Sequence, residues 1–332
     1  MDAILIRNPI SGHPARQASL QRALAEFRFA GWRLDVRETQ RKDHARELAL
    51  QAVQEGHRTI IIAGGDGSIE QAVDGIVRAG VPDVRLGILP TGTGNVFARD
   101  VGLPFPQRDD GNAMVRAAQV ILAGDVVHVD VGLANGNAFL CWAGCGLDSI
   151  VADNVERKLE FKRRAPILTY ATEVVRQALR FDAPYARIEL DDGEVLEDHF
   201  SLIVVSNIVL YGRYFRITPG AMLDDGYLEM VAMQTDALLS LAFTGAKLLL
   251  VPKLPDGRLI RRRVRKLRIA TAPSQVYHLD GDPLGLTPLT IEVLPRRLPL
   301  LLDRVAAADR LSAKAAKPVA KPALRVREGD GV

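Results

Sequence analysis

Two apolar runs early in the chain, "RTIIIAGG" and "RLGILPTG", each flow straight into a glycine-rich turn, with a helical pattern between them. A buried strand that ends in glycine and opens a helix belongs to a parallel α/β sheet, whose turns gather at the carboxyl ends of the strands. The flanking sequence extends the alternation. "AILIRN" is a short apolar strand, Leu20, Leu24 and Phe27 recur at helical spacing, and "WRLDVRET" reads as a strand. Ala45, Leu48, Ala49, Ala52 and Val53 mark a second helix, which Gly56 stops.

After about Gly124 the texture changes. "VVHVDVGL", "NAFLCWAG", "ARIELDDG", "HFSLIVVSN", "GYLEMVAM", "KLRIATA", "SQVYHLDG" and "PLTIEVLP" are short β-like runs between Gly, Asn, Asp and Pro turns, a sandwich or barrel pattern. Helices interrupt it around Ala165 to Phe181 and Ala237 to Val251. The expected architecture is an N-terminal Rossmann-like α/β domain over residues 1–123 and a C-terminal β-sandwich domain over 124–304, with the site in the cleft between them. The last strand, near 298–302, can return to the first domain. Residues 305–332, rich in Ala, Lys and Pro, read as a disordered basic tail.

Composition removes several function classes. The 332 residues carry 43 basic and 40 acidic side chains, so a chain that coats nucleic acid is not indicated. The two cysteines, Cys141 and Cys145, fall short of the roughly four ligands of a structural zinc site, and the six histidines form no HExxH spacing. The start "MDAILIRNP" meets an acid, a base and a proline too soon for a signal peptide. The most apolar later stretch, "ALLSLAFTGAKLLLVPKL", is broken by Gly245, Lys247 and Pro252, well short of the roughly 20 residues of a membrane span. A cytoplasmic protein is expected.

The glycine turns suit phosphate. In "IIAGGDGSIEQAVDGI", Ser68 is expected to cap the following helix, with Gln71 at the spacing of a capping box. Glycines let backbone N–H groups approach an anion, and a helix N-terminus adds partial positive charge. "PTGTGN", Thr91 to Asn95, is a second such turn, and "NPISG" after the first strand a third. None fits GxxxxGK[ST] or GxGxxG, which disfavours a Walker ATPase or an ordinary dinucleotide site. Asp66, at the centre of "GGDG", would repel phosphate unless Mg²⁺ intervened; the alternative is an aspartate stabilised by the adjacent helix N-terminus.

"NPISG", "AGGDGSIEQAV", "PTGTGNVFAR", "LDDGYLEM" and "HLDGDPLG", in that order, resemble the diacylglycerol kinase catalytic family, which includes bacterial lipid kinases and sphingoid-base kinases. The likeness runs from about Ile4 to Leu302. It implies a two-domain lipid kinase using ATP and Mg²⁺. By position, Asn8, Thr39, Gly64, Gly65, Asp66, Gly67, Ser68, Ile69, Glu70, Thr91, Gly92, Thr93 and Asn95 correspond to nucleotide-site residues. "LDDGYL" resembles the family's structural Mg²⁺ site, with the Asp225 carboxylate and the backbone carbonyls of Met222 and Tyr227 as ligands; read without the family, "DDG" between β runs is a turn.

Where the family has a DGE acid that takes the proton from the lipid hydroxyl, this chain has Asp282, one methylene shorter. Three further departures are His13 after "NPISG", Val96 after "GTGN", and Glu70 and Gln71 in place of Asn and Glu. Asp130 keeps an acid that in relatives joins a polar network near the nucleotide. Two basic runs, Arg258 to Arg268 and Arg157 to Arg164, are candidates for docking the enzyme at the inner face of a membrane, the alternative being a solvated strand face and loop. The rival readings are a kinase of the NAD kinase group and a relative that binds nucleotide or lipid without catalysis.

Overall fold

The computed structural model describes residues 1–11, 14–107, 110–146, 183–212, 215–234 and 259–312. The helices expected around 165–181 and 237–251, the basic run 157–164, His13 and residues 313–332 lie outside the described residues.

The first third alternates as its sequence does: β1 (Asp2–Arg7), α1 (Pro14–Phe29), β2 (Arg33–Glu38), α2 (His44–Gln54), β3 (Thr59–Gly64), α3 (Asp66–Ala79), β4 (Arg85–Pro90), α4 (Val96–Asp100) and α5 (Ala113–Ala123). Strands β2, β1, β3 and β4 lie side by side and parallel. Every residue of β3 is buried, as expected of a strand covered by helices on both faces. α2 turns Ala45, Leu48, Ala49, Ala52 and Val53 inward, the stripe read from the sequence.

The remainder is mostly antiparallel: β5 (Val126–Ala134), β6 (Asn137–Phe139), β7 (Trp142–Gly146), β8 (Tyr185–Leu190), β9 (Val195–Ser206), β10 (Leu210–Tyr211), β11 (Phe215–Arg216), β12 (Leu228–Gln234), β13 (Leu259–Val264), β14 (Lys266–Ala272), β15 (Val276–Leu279), β16 (Asp282–Leu286) and β17 (Leu289–Leu301). The two halves share one strand. β17 pairs antiparallel with β14 and β5, slips register between Leu294 and Leu298 around Arg296 at φ 51°, and then lies parallel to β4 with Leu300 opposite Leu86. One core accordingly contains Ile60 and Ile62 of the first half together with Val129, Leu298 and Leu300 of the second.

The expected tail begins later than its composition indicates. Residues 303–312 fold back: Ala307 and Leu311 are buried, Ala308–Arg310 form a turn of 3₁₀ helix, and Arg310 Nε lies 3.2 Å from Asp100 Oδ2 at the end of α4. Alanine and lysine content marks a chain with little to bury, but two apolar anchors and one buried ion pair suffice to hold a short segment.

Candidate active site

The glycine turns meet where β1, β3 and β4 end. Asn8 follows β1; its N–H bonds Ala63 O at 2.9 Å and its Nδ2 donates to Ser68 Oγ at 3.0 Å. Thr91 N–H donates to Gly64 O at 2.9 Å, and Thr91 Oγ1 to Ser11 Oγ at 3.1 Å. Gly65 and Gly92 touch backbone to backbone, so a Cβ on Gly92 would collide with Gly65 Cα. Thr39, after β2, donates its N–H to Arg7 O at 2.9 Å and stands at the same end of the sheet. Thr93 is exposed at the tip of the second turn.

Helix α3 starts at Asp66, earlier than expected. Gly65 is its N-cap, with extended backbone (φ −89°, ψ −177°), and no side chain caps it. Ser68 sits inside the first turn and spends its hydroxyl on Asn8, so the Ser68–Gln71 capping box does not form. An uncapped helix start at the carboxyl ends of the strands is a place for an anion. Ile69 bonds through its N–H to Gly65 O at 3.0 Å and buries its side chain in the core.

Asp66 finds its partners in the second turn. Its Oδ1 accepts Phe97 N–H at 3.3 Å, Oδ2 packs against Gly94, and backbone donors of Asn95 and Val96 oppose the burial that raises its pKa. Its carboxylate thus faces the backbone donors at the start of α4, which offset part of the cost of burial. Asn95, at φ 48°, donates Nδ2 to Gly92 O at 2.7 Å, while its buried Oδ1 has no hydrogen-bond partner among the described residues. A buried acceptor left unpaired costs about 1–3 kcal/mol, and a ligand N–H or O–H at this turn would satisfy it.

The second half brings its acids to the same place. Asp280 (φ 48°) and Gly281 (φ 100°) make the turn between β15 and β16. The half-buried Asp280 carboxylate collects the N–H groups of Leu140, Cys141 and Trp142 at 2.9, 2.9 and 2.7 Å. Burial pushes its pKa up to about 6 against those hydrogen bonds. The turn so anchored presents Asp282 over the first glycine loop, Oδ2 lying 3.7 Å from where a Cβ on Gly67 would be. Glu70, 5% exposed beneath the loop, is pushed up to about 9, first by burial and then by the charge of Asp280. At neutral pH it is an uncharged carboxylic acid. Cys141 is buried as well, its thiol raised well above the ordinary value.

The sequence reading missed three supporting groups. Asp280 was visible as the aspartate of "LDGD", yet its role depends on a strand far away in sequence. Asp74, fully buried, forms an ion pair with Arg46, whose Nε lies 2.5 Å away, and accepts Arg78 Nε at 2.7 Å and Ala138 N–H at 2.9 Å, tying α2 and α3 to β6. Arg310 braces Asp100, which also accepts Leu210 N–H at 2.9 Å.

The "LDDGYL" turn is built differently from a metal site. Asp225 Oδ1 accepts Tyr227 N–H at 3.0 Å, and Oδ2 accepts Arg263 Nη2 at 2.5 Å. Asp224 is held by the N–H and hydroxyl of Ser312 at 2.6 and 3.0 Å. Asp130 accepts Gly226 N–H at 2.7 Å and Arg296 N–H at 2.6 Å, so it serves this turn. Among the described residues no three acidic, histidine or cysteine side chains form a metal-binding group. Of the expected set Met222, Asp225 and Tyr227, the one side-chain ligand, Asp225, already has a guanidinium beside it.

The basic run on β13 and β14 is similarly engaged. Arg262 pairs with Glu194 at 2.6 Å, Lys266 with Glu292 at 3.5 Å and Arg268 with Glu189 at 3.6 Å, while Arg265 lies over the Tyr227 ring.

Comparison with known proteins identifies the domains. The family profile described as "Diacylglycerol kinase catalytic domain" matches residues 2–134, and the one described as "YegS C-terminal NAD kinase beta sandwich-like domain" matches 142–302. The chain carries a diacylglycerol kinase catalytic domain followed by a YegS-type C-terminal domain. A diacylglycerol kinase of Bacillus subtilis (strain 168) is 26% identical over 304 residues, covering 91% of this chain and 96% of that protein. A diacylglycerol kinase of Mycobacterium tuberculosis (strain ATCC 25618 / H37Rv) is 29% identical over 312 residues, with 90% and 94% covered. A crystal structure from Bacillus anthracis str. Sterne, described as a candidate diacylglycerol kinase, superposes with a TM-score of 0.74 at 25% identity, covering 92% of this chain and 97% of its own. The family is one of kinases, and the α/β domain followed by a β-sandwich-like domain is its architecture.

Proposed function

We propose that the chain transfers the γ-phosphoryl group of ATP to the hydroxyl of a lipid, diacylglycerol or a related glycerolipid or sphingoid lipid. The observation that carries this reading is Asp282 of the second domain poised over Gly67 of the first domain's glycine loop. Phosphate held on the uncapped start of α3 and on the Thr91–Asn95 turn would lie beneath a carboxylate within reach of an incoming hydroxyl. As the lipid oxygen bonds to γ-phosphorus and the bond to the ADP oxygen breaks, Asp282 takes the hydroxyl proton. Neutral Glu70 adds no negative charge beneath the triphosphate and offers an O–H where the family has an amide.

Mg²⁺ would be held chiefly by the nucleotide's own phosphates and water, as is usual for this ion, with Asp66 and Asp282 the carboxylates bordering that volume. Its chemistry there is to neutralise charge on the phosphate oxygens. Leu284 and Leu286, 44% and 59% exposed on the same edge strand as Asp282, give apolar surface beside the proton acceptor, which suits a lipid better than NAD. Among the described residues no helix is long and apolar enough to cross a membrane. We place the chain in the cytoplasm, peripheral to the inner face of the membrane, where its substrate would lie. Because Arg262 and Arg263 are engaged by acids and Arg263 and Arg265 lie over an aromatic ring, the run 258–268 draws the protein to anionic lipid less strongly than its charge count implies.

The test supplies labelled ATP and Mg²⁺ with diacylglycerol, phosphatidylglycerol, sphingosine, ceramide or NAD. Lipid phosphorylation is expected, with Asp282→Asn reducing it by about 10²–10⁴-fold while nucleotide binding survives. Transfer to NAD alone, or no transfer to any lipid with ATP bound, refutes the reading.

A further inference from the structure

We propose that Arg263 replaces a metal ion at the 222–227 turn, so that the second domain is held together there by a half-exposed guanidinium of its own chain and folds without a divalent cation. This inference does not depend on which substrate the kinase uses.

The placement follows from strand register. β12 and β13 are antiparallel, with Glu229 directly opposite Arg263. Opposed side chains share a face of the sheet, and Arg263 Nε lies 3.4 Å from Glu229 Oε1. From that anchor the far end of the guanidinium reaches the turn preceding β12, where Nη2 donates to Asp225 Oδ2 at 2.5 Å. Its central carbon sits 4.4 Å from the centre of the Tyr227 ring, and that of Arg265 sits 4.6 Å from the same ring. One arginine therefore bridges two carboxylates and covers an aromatic face, a combination that needs a planar fork rather than a compact ammonium.

The neighbouring acids and one nearby carbonyl are committed. Asp224 is closed by Ser312, Asp130 by the backbone of Gly226 and Arg296, and the Leu223 carbonyl accepts Asp130 N–H at 2.5 Å. Mg²⁺ loses its water reluctantly and asks for nearly ideal octahedral oxygen geometry. To bind here it would have to displace Arg263 from the carboxylate oxygen that the arginine already holds, with a second guanidinium stacked on the adjacent ring. The guanidinium also needs no uptake from solution, so the turn is complete as soon as the strands pair.

The experiment follows thermal unfolding of the full chain without nucleotide, in EDTA and in millimolar Mg²⁺, for the wild type and for Arg263→Ala, Arg263→Lys and Asp225→Asn. The wild-type Tm is expected to be the same in both buffers. Arg263→Ala should lose a few degrees in EDTA and regain part of the loss in Mg²⁺, because the vacated carboxylate can then take the ion. Arg263→Lys should fall between the two. A wild-type Tm that rises in Mg²⁺, with the rise abolished by Asp225→Asn, overturns the proposal, as does an Arg263→Ala variant that melts with the wild type in EDTA.

Discussion

Replacing Glu70 with glutamine keeps the shape of the side chain and removes its proton equilibrium. In the folded chain the carboxyl group titrates at about 9 against an ordinary value of 4.5. Between those values the folded state holds a proton that the unfolded state has released, so stability falls as pH rises, by about 1.4 kcal/mol per pH unit. Below 4.5 both states are protonated and the residue costs nothing on this account. At pH 7 the cost is about 3 kcal/mol, growing to about 6 kcal/mol by pH 9, after which it is constant. The groups responsible are the burial of Glu70 itself and the charges of Asp280, Asp74 and Asp282, with Arg46 acting in the opposite sense. Glu70→Gln should therefore be more stable than the wild type by an amount that grows with pH. Urea unfolding of both proteins in steps from pH 5 to pH 9 measures the difference. Asp280 and Asp130, each raised to about 6, slope the same way in both proteins and largely cancel. A wild-type-minus-variant difference that does not change with pH refutes the argument.

Gly92→Ala should drive the two glycine turns apart, because its Cβ would meet Gly65 Cα and stand 3.0 Å from Asn95 Oδ1. A loss of about 1–3 kcal/mol in stability is expected, together with weaker ATP binding, both readable by calorimetry. Arg310→Met should leave the Asp100 carboxylate, whose side chain is fully shielded, without its counter-charge. Breaking such a pair costs about 3–5 kcal/mol. Burial already raises the Asp100 pKa, so the deficit, measured by denaturant titration, should shrink as pH falls and the acid takes up a proton.

The strand and helix order of the first domain was legible because each element carries its own signal: a continuous apolar run for β3, one apolar stripe for α2, a glycine at each helix end. The glycine turns and "LDGD" were legible as motifs, and the motifs do converge. What local pattern could not supply was partnership across distance. Ser68 has the spacing of a cap, but Asn8 from another strand competes for its hydroxyl. Asp66 looked like a carboxylate awaiting a cation, yet the turn after β4 delivers backbone donors to it. Asp225 has the sequence context of a metal ligand, and only the register of β12 on β13 shows that Arg263 arrives there first. The arginine-rich run reads as a solvent-facing charge cluster until its acids, scattered from Glu189 to Glu292, are brought alongside.

The shared strand has a consequence during synthesis. A ribosome releases β1 to β4 early, but the strand that lies against β4 spans Leu298 to Leu301, near the end of the chain. Until it emerges, β4 is an open edge, the kind of surface that recruits other chains. The glycine-loop domain, although first in sequence, is thus among the last parts of the molecule to be completed. Nascent chains halted before residue 298 should carry a glycine-loop domain that associates with its neighbours, whereas those released beyond residue 312 close their own sheet.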